Sequence, residues 1–494
     1  MKQKYLEARG IWNLDASGFP LAFVMCKTTE DVSAAVQYAK AAQLQICVRT
    51  AGAHSSHAVV DNVLCINLSL MRKVTVTSAG TAEVEGGAMI QDVDDACAPS
   101  GMALPMGHVS HTGVAGMLLN ATSGVGYMCR TRGLCGNFLL EATMVMHDGR
   151  VLTVNAKENE DLFWGLPGAG ANFGIATRFK FKLTKVARNV LAGDVVRFPK
   201  GEGPPIFNSG KTRFELIKQW TEFYATAPDE CSALLVLAGQ GPVIARIAYI
   251  PKEEADCGGD DVEEVTTHTT SSLRGCWGRA EPSSIKLGRA AFQPIMSSAT
   301  ALINTVKPRN YWNGLQKMGQ FKSSFYYQKG VNVEGAIPDD VLQKLTDLAK
   351  ECPVSNDGSA IILMTMGGKL KELRPGDGPS SDVMGRMNWW VIIIAQFPQG
   401  AEKPELRQRC IDWVRKTYEV VKPLGCFGSL PKPSKNDNDN GGALHSDEAM
   451  EYWTTGIGEL YGSNWPRLRE LKRKYDPENF FSLNRNIKPA EDCA

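Results

Sequence analysis

The feature that most constrains the fold is a change of pattern near residue 185. Before it the chain alternates helix and strand signals. Thr28, with Asp31 three residues on, opens a helix whose apolar stripe is Val32, Ala35, Val36 and Ala39. Ile46 to Arg49 reads as a short strand running into a loop of small residues. Val63 to Leu68, Val74 to Thr77 and Ala82 to Val84 follow as strands of β-branched composition. Met89, Val93, Ala96 and Cys97 mark a second helix, and Leu139–Met146 and Val151–Val154 flank Asp148-Gly149, a hairpin signal. Pro and Gly then enter over Asn189–Lys211. Beyond lie a helix at Thr212–Tyr224, strands at Ala233–Leu237 and Val243–Ile250, and a helix at Asp339–Lys350. Strands at Ser359–Met366 and Asn388–Ile394 and a long helix at Glu402–Val421 complete this part. That order is one of an antiparallel sheet backed by helices. The breaker-rich stretch Pro431–Gly442 reads as a loop or linker, and the tail returns to helix signals.

At 494 residues the chain has room for two or three domains. Its 54 Lys and Arg against 53 Asp and Glu leave a formal charge of +1, which argues against a nucleic-acid binder built on many phosphate contacts. The longest apolar run, Trp389 to Ala395, has seven residues, far short of a membrane-spanning helix. The opening Met1-Lys2-Gln3-Lys4-Tyr5-Leu6-Glu7 lacks the apolar stretch of a signal peptide, so a cytoplasmic chain is expected, or one whose leader has been removed. Thirteen cysteines without a C-x-x-C pair read as reduced, mostly buried thiols. The 48 glycines are above the usual share and call for close backbone approach or unusual backbone angles.

Those glycines gather in loops. Val48-Arg49-Thr50-Ala51-Gly52-Ala53-His54-Ser55 puts small residues directly after a strand, where successive N–H groups can turn toward one anion. A pyrophosphate is the natural guest, with Arg49 adding charge; an ordinary tight loop has the same pattern. The run from Pro105 to Gly116, continuing to Ser123-Gly124-Val125-Gly126, has the glycine density of backbone lying on a flat ligand, or of a purely structural turn. Gly168-Ala169-Gly170-Ala171-Asn172-Phe173-Gly174 misses the dinucleotide fingerprint by one residue and follows a helix, so a Rossmann site is rejected. His54 with His57, and His108 with His111, form two H-x-x-H pairs that together can supply zinc ligands. No Cys or carboxylate joins them at metal-site spacing, and no metal is expected.

Together these segments resemble the berberine-bridge-enzyme-like FAD-linked oxidases, members of the vanillyl-alcohol-oxidase superfamily with a PCMH-type flavin domain. The resemblance rests on VRTAGAHS, GHVSHTGVAG, MHDGRVLTV and NEDLFWGLPGAGANFGIATRFKFKL. It is matched at the end of the chain by YGSNWPRLRELKRKYDPENFFSLNRNIKP. It implies an α+β fold: a two-lobed PCMH-type FAD-binding domain closed by the C-terminal segment, with an inserted antiparallel-sheet substrate domain backed by helices. The expected boundaries are residues 1–187 for the FAD domain, 188–440 for the substrate domain and 441–494 for the returning segment. FAD would lie along Arg49, Thr50, Ala51, Gly52, Ala53 and Ser55, with His54 covalently attached to it. Pro105, Gly107, Ser110, His111, Gly113, Val114, Gly116, Gly124, Ile175, Asn484 and Asn486 would complete its site. Some members carry a second bond through a cysteine in a C-P-T-V-G-V-G-G segment; Val109 stands at that position here, so one bond is expected.

Two departures from the family pattern bear on mechanism. The usual glycine triplet is replaced by Asn120-Ala121-Thr122-Ser123-Gly124, and the tyrosine of the usual Y-x-N before Ser446-Asp447-Glu448 falls at or near Gly441. The reaction implied is hydride transfer from a small-molecule substrate to flavin N5, with O₂ as the electron acceptor and H₂O₂ as product. For a base, His445 stands nearest the missing tyrosine, with Tyr127 and Tyr461 as other candidates. Trp389 and Trp390 are candidates to hold the substrate, though sheet packing explains them equally. The missing tyrosine favours a specialised metabolite over a plain sugar. A carbohydrate or alcohol oxidase with another base, an enzyme with another electron acceptor, and a redox-inactive binding or cyclisation scaffold are the alternatives.

Overall fold

The computed structural model of the protein describes residues 2–16, 18–54, 56–120, 123–203, 209–239, 241–252, 282–298, 301, 303–319, 323–354, 358–397, 404–426 and 457–491. Its second α-helix, Thr29–Ala41, which follows the short Lys2–Ala8, starts where the sequence places it. The Thr28 side chain accepts from the Asp31 N–H and the Asp31 carboxylate accepts in return from the Thr28 N–H. That reciprocal cap satisfies two of the helix's orphan donors.

Strands β1 (Ala22–Met25), β2 (Ile46–Arg49) and β3 (Leu64–Asn67) form a parallel sheet with β3 central. A second sheet is wholly antiparallel, in the order β4-β5-β9-β7-β8. Its members are β4 (Val74–Val76), β5 (Thr81–Glu85), β7 (Leu139–Val145), β8 (Val151–Asn155) and β9 (Ile175–Lys182). The short β6 (Met102–Ala103) pairs with β10 (Thr184–Lys185). The hairpin of β7 and β8 turns at Asp148-Gly149 as its dipeptide demands, with Gly149 at φ +82°.

The third sheet is antiparallel throughout. It comprises β11 (Asn189–Arg197), β12 (Cys231–Ala238), β13 (Val243–Tyr249), β14 (Ile303–Asn304), β15 (Lys307–Asn310), β16 (Phe325–Glu334), β17 (Ala360–Thr365) and β18 (Met387–Phe397). Its order is β14-β11-β13-β12-β17-β18-β16, with β15 also on β11. Helices Arg213–Thr226, Ser283–Met296, Asp339–Lys350 and Pro404–Val421 cover one face, and Leu235, Ile247, Leu363, Val391 and Ile393 are buried beneath them. The architecture is thus α+β with an antiparallel, helix-backed sheet. Sequence periodicity misses β11, because it shares its segment with Pro199 to Gly210, and it misses β16, where Gln328, Lys329 and Asn332 break the apolar alternation.

The tail returns to the first two sheets. Tyr461, Leu468, Leu471, Tyr475 and Ile487 join the core of the five-stranded sheet, and Phe481 joins that of the parallel sheet. One buried ion pair fastens it. The Lys472 ammonium, fully enclosed like its partner, donates to Asp476 Oδ2 (2.7 Å), to the Asn172 carbonyl (2.7 Å) and to the Phe481 carbonyl (3.0 Å). The Asp476 carboxylate accepts the Phe480 and Phe481 N–H groups. All ten described cysteines are free thiols, and no helix among the described residues is long and apolar enough to cross a membrane.

Candidate functional site

β2 ends at Arg49, and the small residues after it let two loops approach backbone to backbone. An ideal Cβ on Gly52 would stand 2.1 Å from the Gly113 nitrogen, and one on Gly113 would stand 2.4 Å from Thr50 Oγ1. The Ala51 N–H is spent on the Gly87 carbonyl and that of Val114 on the Ala88 carbonyl. The N–H groups of Gly52, Ala53 and His54 meet no acceptor among the described residues. Ala53 has φ +42°, which turns this stretch of backbone. Arg49 donates to the Gly10 and Thr50 carbonyls, and its Nε is buried without a partner.

His54 is the centre of a ring stack. Trp12, 8% exposed, lies parallel to it with centroids 5.3 Å apart. Tyr326 of β16 also stacks on Trp12, at 4.1 Å. Residues 12–14 run beside β16 to make this possible: Asn13 exchanges two hydrogen bonds with Tyr326, and the Leu14 N–H donates to the Ser324 carbonyl. His111 is tilted against His54 at 4.8 Å, and Thr112 Oγ1 lies 3.5 Å from His54 Nδ1. His54 Nε2, His111 Nε2 and Ser110 Oγ are buried with no hydrogen-bond partner. Burial, reinforced by the neighbouring His111, lowers the His54 pKa to about 3, so the ring is neutral at physiological pH. Burial lowers His111 as well.

The second H-x-x-H pair therefore divides. His111 joins His54, while His108 turns edge-on to Tyr127, with centroids 4.2 Å apart. Burial, helped by the Arg246 charge, takes His108 to about 3. Burial pushes the Tyr127 hydroxyl up to about 12 against the opposing pull of Arg246. Arg246 itself is tied to Asp194 through Nε (2.8 Å) and Nη2 (3.2 Å) and donates to the Met318 carbonyl. Among the described residues no three His, Cys, Asp or Glu side chains converge as metal ligands.

From the C-terminal side, Asn484 Nδ2 donates to the Ala171 and Phe481 carbonyls, and the Oδ1 atoms of Asn484 and Asn486 are buried and unpaired. Gly124 at φ +87° and buried Pro105 shape the second loop. The Gly107 N–H faces Met117 Sδ, and an ideal Cβ on Gly116 would meet open space. Val114 and Ile175 turn their side chains into the cores, so only their backbone is available to a ligand. Ser55, Gly441 and His445 lie outside the described residues.

Two sequence-based candidates stand elsewhere. The Tyr461 hydroxyl donates to the Gly168 carbonyl (2.9 Å) inside the core, with its pKa raised to about 12 by burial, so it serves to hold the tail rather than to accept a proton. Trp389 and Trp390 sit on opposite faces of β18. Trp389 points into the helix-covered core against Tyr224, and only Trp390 faces the N-terminal half, packing near Val125 and Cys129. The sequence carried no signal for Trp12 and Tyr326. Trp12 is a lone aromatic and Tyr326 the middle of Phe325-Tyr326-Tyr327, and their importance arises only from pairing across more than 300 residues.

Buried polar atoms without partners thus occur at Arg49, His54, Ser110, His111, Asn484 and Asn486, a donor and acceptor set that fits a polar cofactor. The comparisons agree. The FAD binding domain family matches residues 20–155, and the family described as berberine and berberine like matches residues 451–488. An FAD-linked oxidoreductase of Pyricularia oryzae is 34% identical over 490 residues, covering 96% of this chain and 85% of the relative. Another, of Dictyostelium discoideum, is 29% identical over 97% of this chain and 91% of its own length. In fold the chain is similar to 6-hydroxy-D-nicotine oxidase from Arthrobacter nicotinovorans, with a TM-score of 0.76 at 21% identity over 98% of this chain and 96% of that one. It is also similar to a chitooligosaccharide oxidase, with a TM-score of 0.73 at 20% identity over 99% and 96%. The chain belongs to the berberine-bridge-enzyme-like family of FAD-linked oxidoreductases.

Proposed function

We propose that this chain is an oxidase of a small specialised metabolite, with its FAD held covalently through His54 alone. Residues 1–187 and 441–494 would form the cofactor domain, and residues 188–440 the substrate domain. FAD bound along Arg49, Gly52, His54 and the tail would supply a two-electron acceptor for substrate hydride, with O₂ plus protons as the sink that gives H₂O₂.

The chain's own task is to bind and to orient. Gly52, Ala53 and His54 offer three successive N–H groups to the pyrophosphate, and Arg49 adds charge beside them. Asn484 and Asn486 offer carbonyl oxygens from the returning tail. Trp12 and His111 fix the plane of His54. Tyr127, buried against the third sheet with half-buried His108 edge-on to it, would bound the substrate side. With its pKa near 12, Tyr127 keeps its proton at neutral pH and is suited to donating a hydrogen bond there.

The observation that carries this reading is the neutral imidazole of half-buried His54, whose Nε2 is enclosed without a partner. A ring nitrogen that stays unprotonated keeps the lone pair that bond formation to carbon requires. Acid-precipitated protein is expected to stay yellow, and His54→Ala to release its colour into the supernatant. A wild-type supernatant holding all the flavin would refute the tether. A holoenzyme that binds small molecules but never releases H₂O₂ or bleaches with any of them would favour the scaffold reading.

A further inference from the structure

The helix-covered side of the third sheet holds a cavity of about 500 Å³, a size that suits a small molecule. It lies where helices Arg213–Thr226 and Asp339–Lys350 meet the ends of β17 and β18. Thr365 and Trp389, paired in register, line it from the sheet. His54 lies on the other side. It stacks on Trp12, which packs with Val236 and Ile362, and these alternate with Leu235 and Leu363 of the helix-covered core. The sheet therefore separates the cavity from the His54 site.

The apolar part of the lining is chiefly Trp389, Tyr224, Ile337, Leu342 and Met366. Tyr224 stands edge-on to Trp389 with centroids 6.3 Å apart and spends its hydroxyl on the Ser232 carbonyl. Trp389 is only 5% exposed, yet its Nε1–H meets no acceptor among the described residues.

The charged side chains close into pairs and leave positive charge over. The Lys218 ammonium donates to Asp339 Oδ2 and lies 3.8 Å from Glu222. Asp229 accepts from Lys252 at 2.7 Å and stands 3.7 Å from Arg130 Nη2. Arg130, from the short helix Cys129–Arg132, is 6% exposed. Its hydrogen bonds go to the neutral carbonyls of Met366, Ala227 and Pro228, and its Nε is buried without a partner. The Lys371 ammonium meets no acceptor among the described residues. Gly367, at φ +88°, lets the two cations converge: an ideal Cβ there would stand 3.3 Å from Lys371 Cε and 3.6 Å from Arg130 Nη1. The neutral polar groups are mostly spent. Thr221 and Thr365 donate to the Lys218 and Ala233 carbonyls, and Asn388 Oδ1 accepts the Gly335 N–H, which leaves the Asn388 amide donors. Lys371 Nζ, Asn388 Nδ2 and Trp389 Nε1 thus remain as side-chain donors, beside a guanidinium whose nearest carboxylate is shared with Lys252.

We infer that this cavity is a second ligand site, for an aromatic monocarboxylate whose ring lies against Trp389 and whose carboxylate meets Lys371 beside Arg130. Unspent donors call for acceptor oxygens, the surplus cation for one negative charge, and the apolar lining for a ring. The inference does not depend on what the His54 site oxidises.

Calorimetric titration of the purified, flavin-loaded protein compares 1-naphthoate with 1-naphthalenemethanol, which keeps the ring and lacks the charge. A parallel titration follows the flavin absorption band. One-site saturation by naphthoate is expected, about tenfold tighter than by the alcohol, with the flavin band unmoved. Lys371 is exposed, so its replacement spares the core. Lys371→Met should weaken naphthoate about tenfold and leave the alcohol unchanged, while Lys371→Arg retains naphthoate binding. Ala225→Trp, from an exposed position on the wall, should block both ligands. No saturable naphthoate binding, equal affinity for the alcohol, or equal naphthoate affinity in Lys371→Met would overturn the inference. So would naphthoate that shifts the flavin band and still binds to Ala225→Trp, because that result places it at the His54 site.

Discussion

Replacing Lys472 by Met tests how the tail is held. The ammonium is 0% exposed and serves three oxygens: Asp476 Oδ2 and the carbonyls of Asn172 and Phe481. Burial lowers the Lys472 pKa and Asp476 opposes that shift, so the charge is retained by its partner at some cost. In Lys472→Met the carboxylate stays enclosed with only the N–H groups of Phe480 and Phe481, at 2.8 and 2.9 Å, and two carbonyls lose a charged donor. Stranding one member of a buried pair costs about 3–5 kcal/mol. The two N–H donors soften that cost while the abandoned carbonyls add to it, so about 4 kcal/mol is expected. Lys472→Met/Asp476→Asn, which removes both charges, should recover about half. Urea unfolding followed by far-UV circular dichroism and by the flavin band supplies the midpoints, and limited proteolysis reports on the tail itself. A single variant within about 1 kcal/mol of wild type, with its tail as protected as before, would refute the reasoning.

Two further outcomes follow from enclosed groups. Asp94 is 2% exposed, and its one partner among the described residues is Gln316 Nε2 at 3.3 Å; burial raises its pKa to about 8. Because the folded state holds this proton above the unfolded value of about 3.9, stability should fall as pH rises from about 4 to about 8, by up to about 1.4 kcal/mol per unit. Urea midpoints at several pH values should show that slope flattened in Asp94→Asn, and an unchanged slope would count against it. Gly52→Ala must push the Gly113 backbone away from a contact that would otherwise be 2.1 Å, so it should lower the flavin retained per mole of purified protein and cost about 1–3 kcal/mol in stability.

Local chemistry made much of the fold legible. The Thr28 cap, strand Ile46–Arg49 and helix Asp339–Lys350 stand where caps and periodicity place them. The Asp148-Gly149 turn does so too, because each depends on residues close in sequence. The small-residue loops were legible as places of close approach, and Gly52 against Gly113 is such a contact. What escaped depends on distance along the chain. Nothing near Trp12 reveals that it stacks with both His54 and Tyr326, and Lys472 looks like any helix-surface lysine until Asn172 arrives beside it. The pair Trp389-Trp390 shows the limit of a strand pattern: alternation says that the two rings part, but not which face meets the site.

The returning tail also sets an order of events in the cell. Asn484 reaches its Ala171 partner across 313 positions, and the Lys472 latch spans 300. A ribosome delivers the amino-terminal half first, so Ala171 and Asn172 wait for their partners while the intervening sheet is made. Closure of the first two sheets by the tail is therefore a late step of folding. A nonsense codon or protease cut before residue 460 would leave a protein whose His54 loop is intact in sequence yet whose first two sheets lack the Lys472 latch and the apolar cover of the tail.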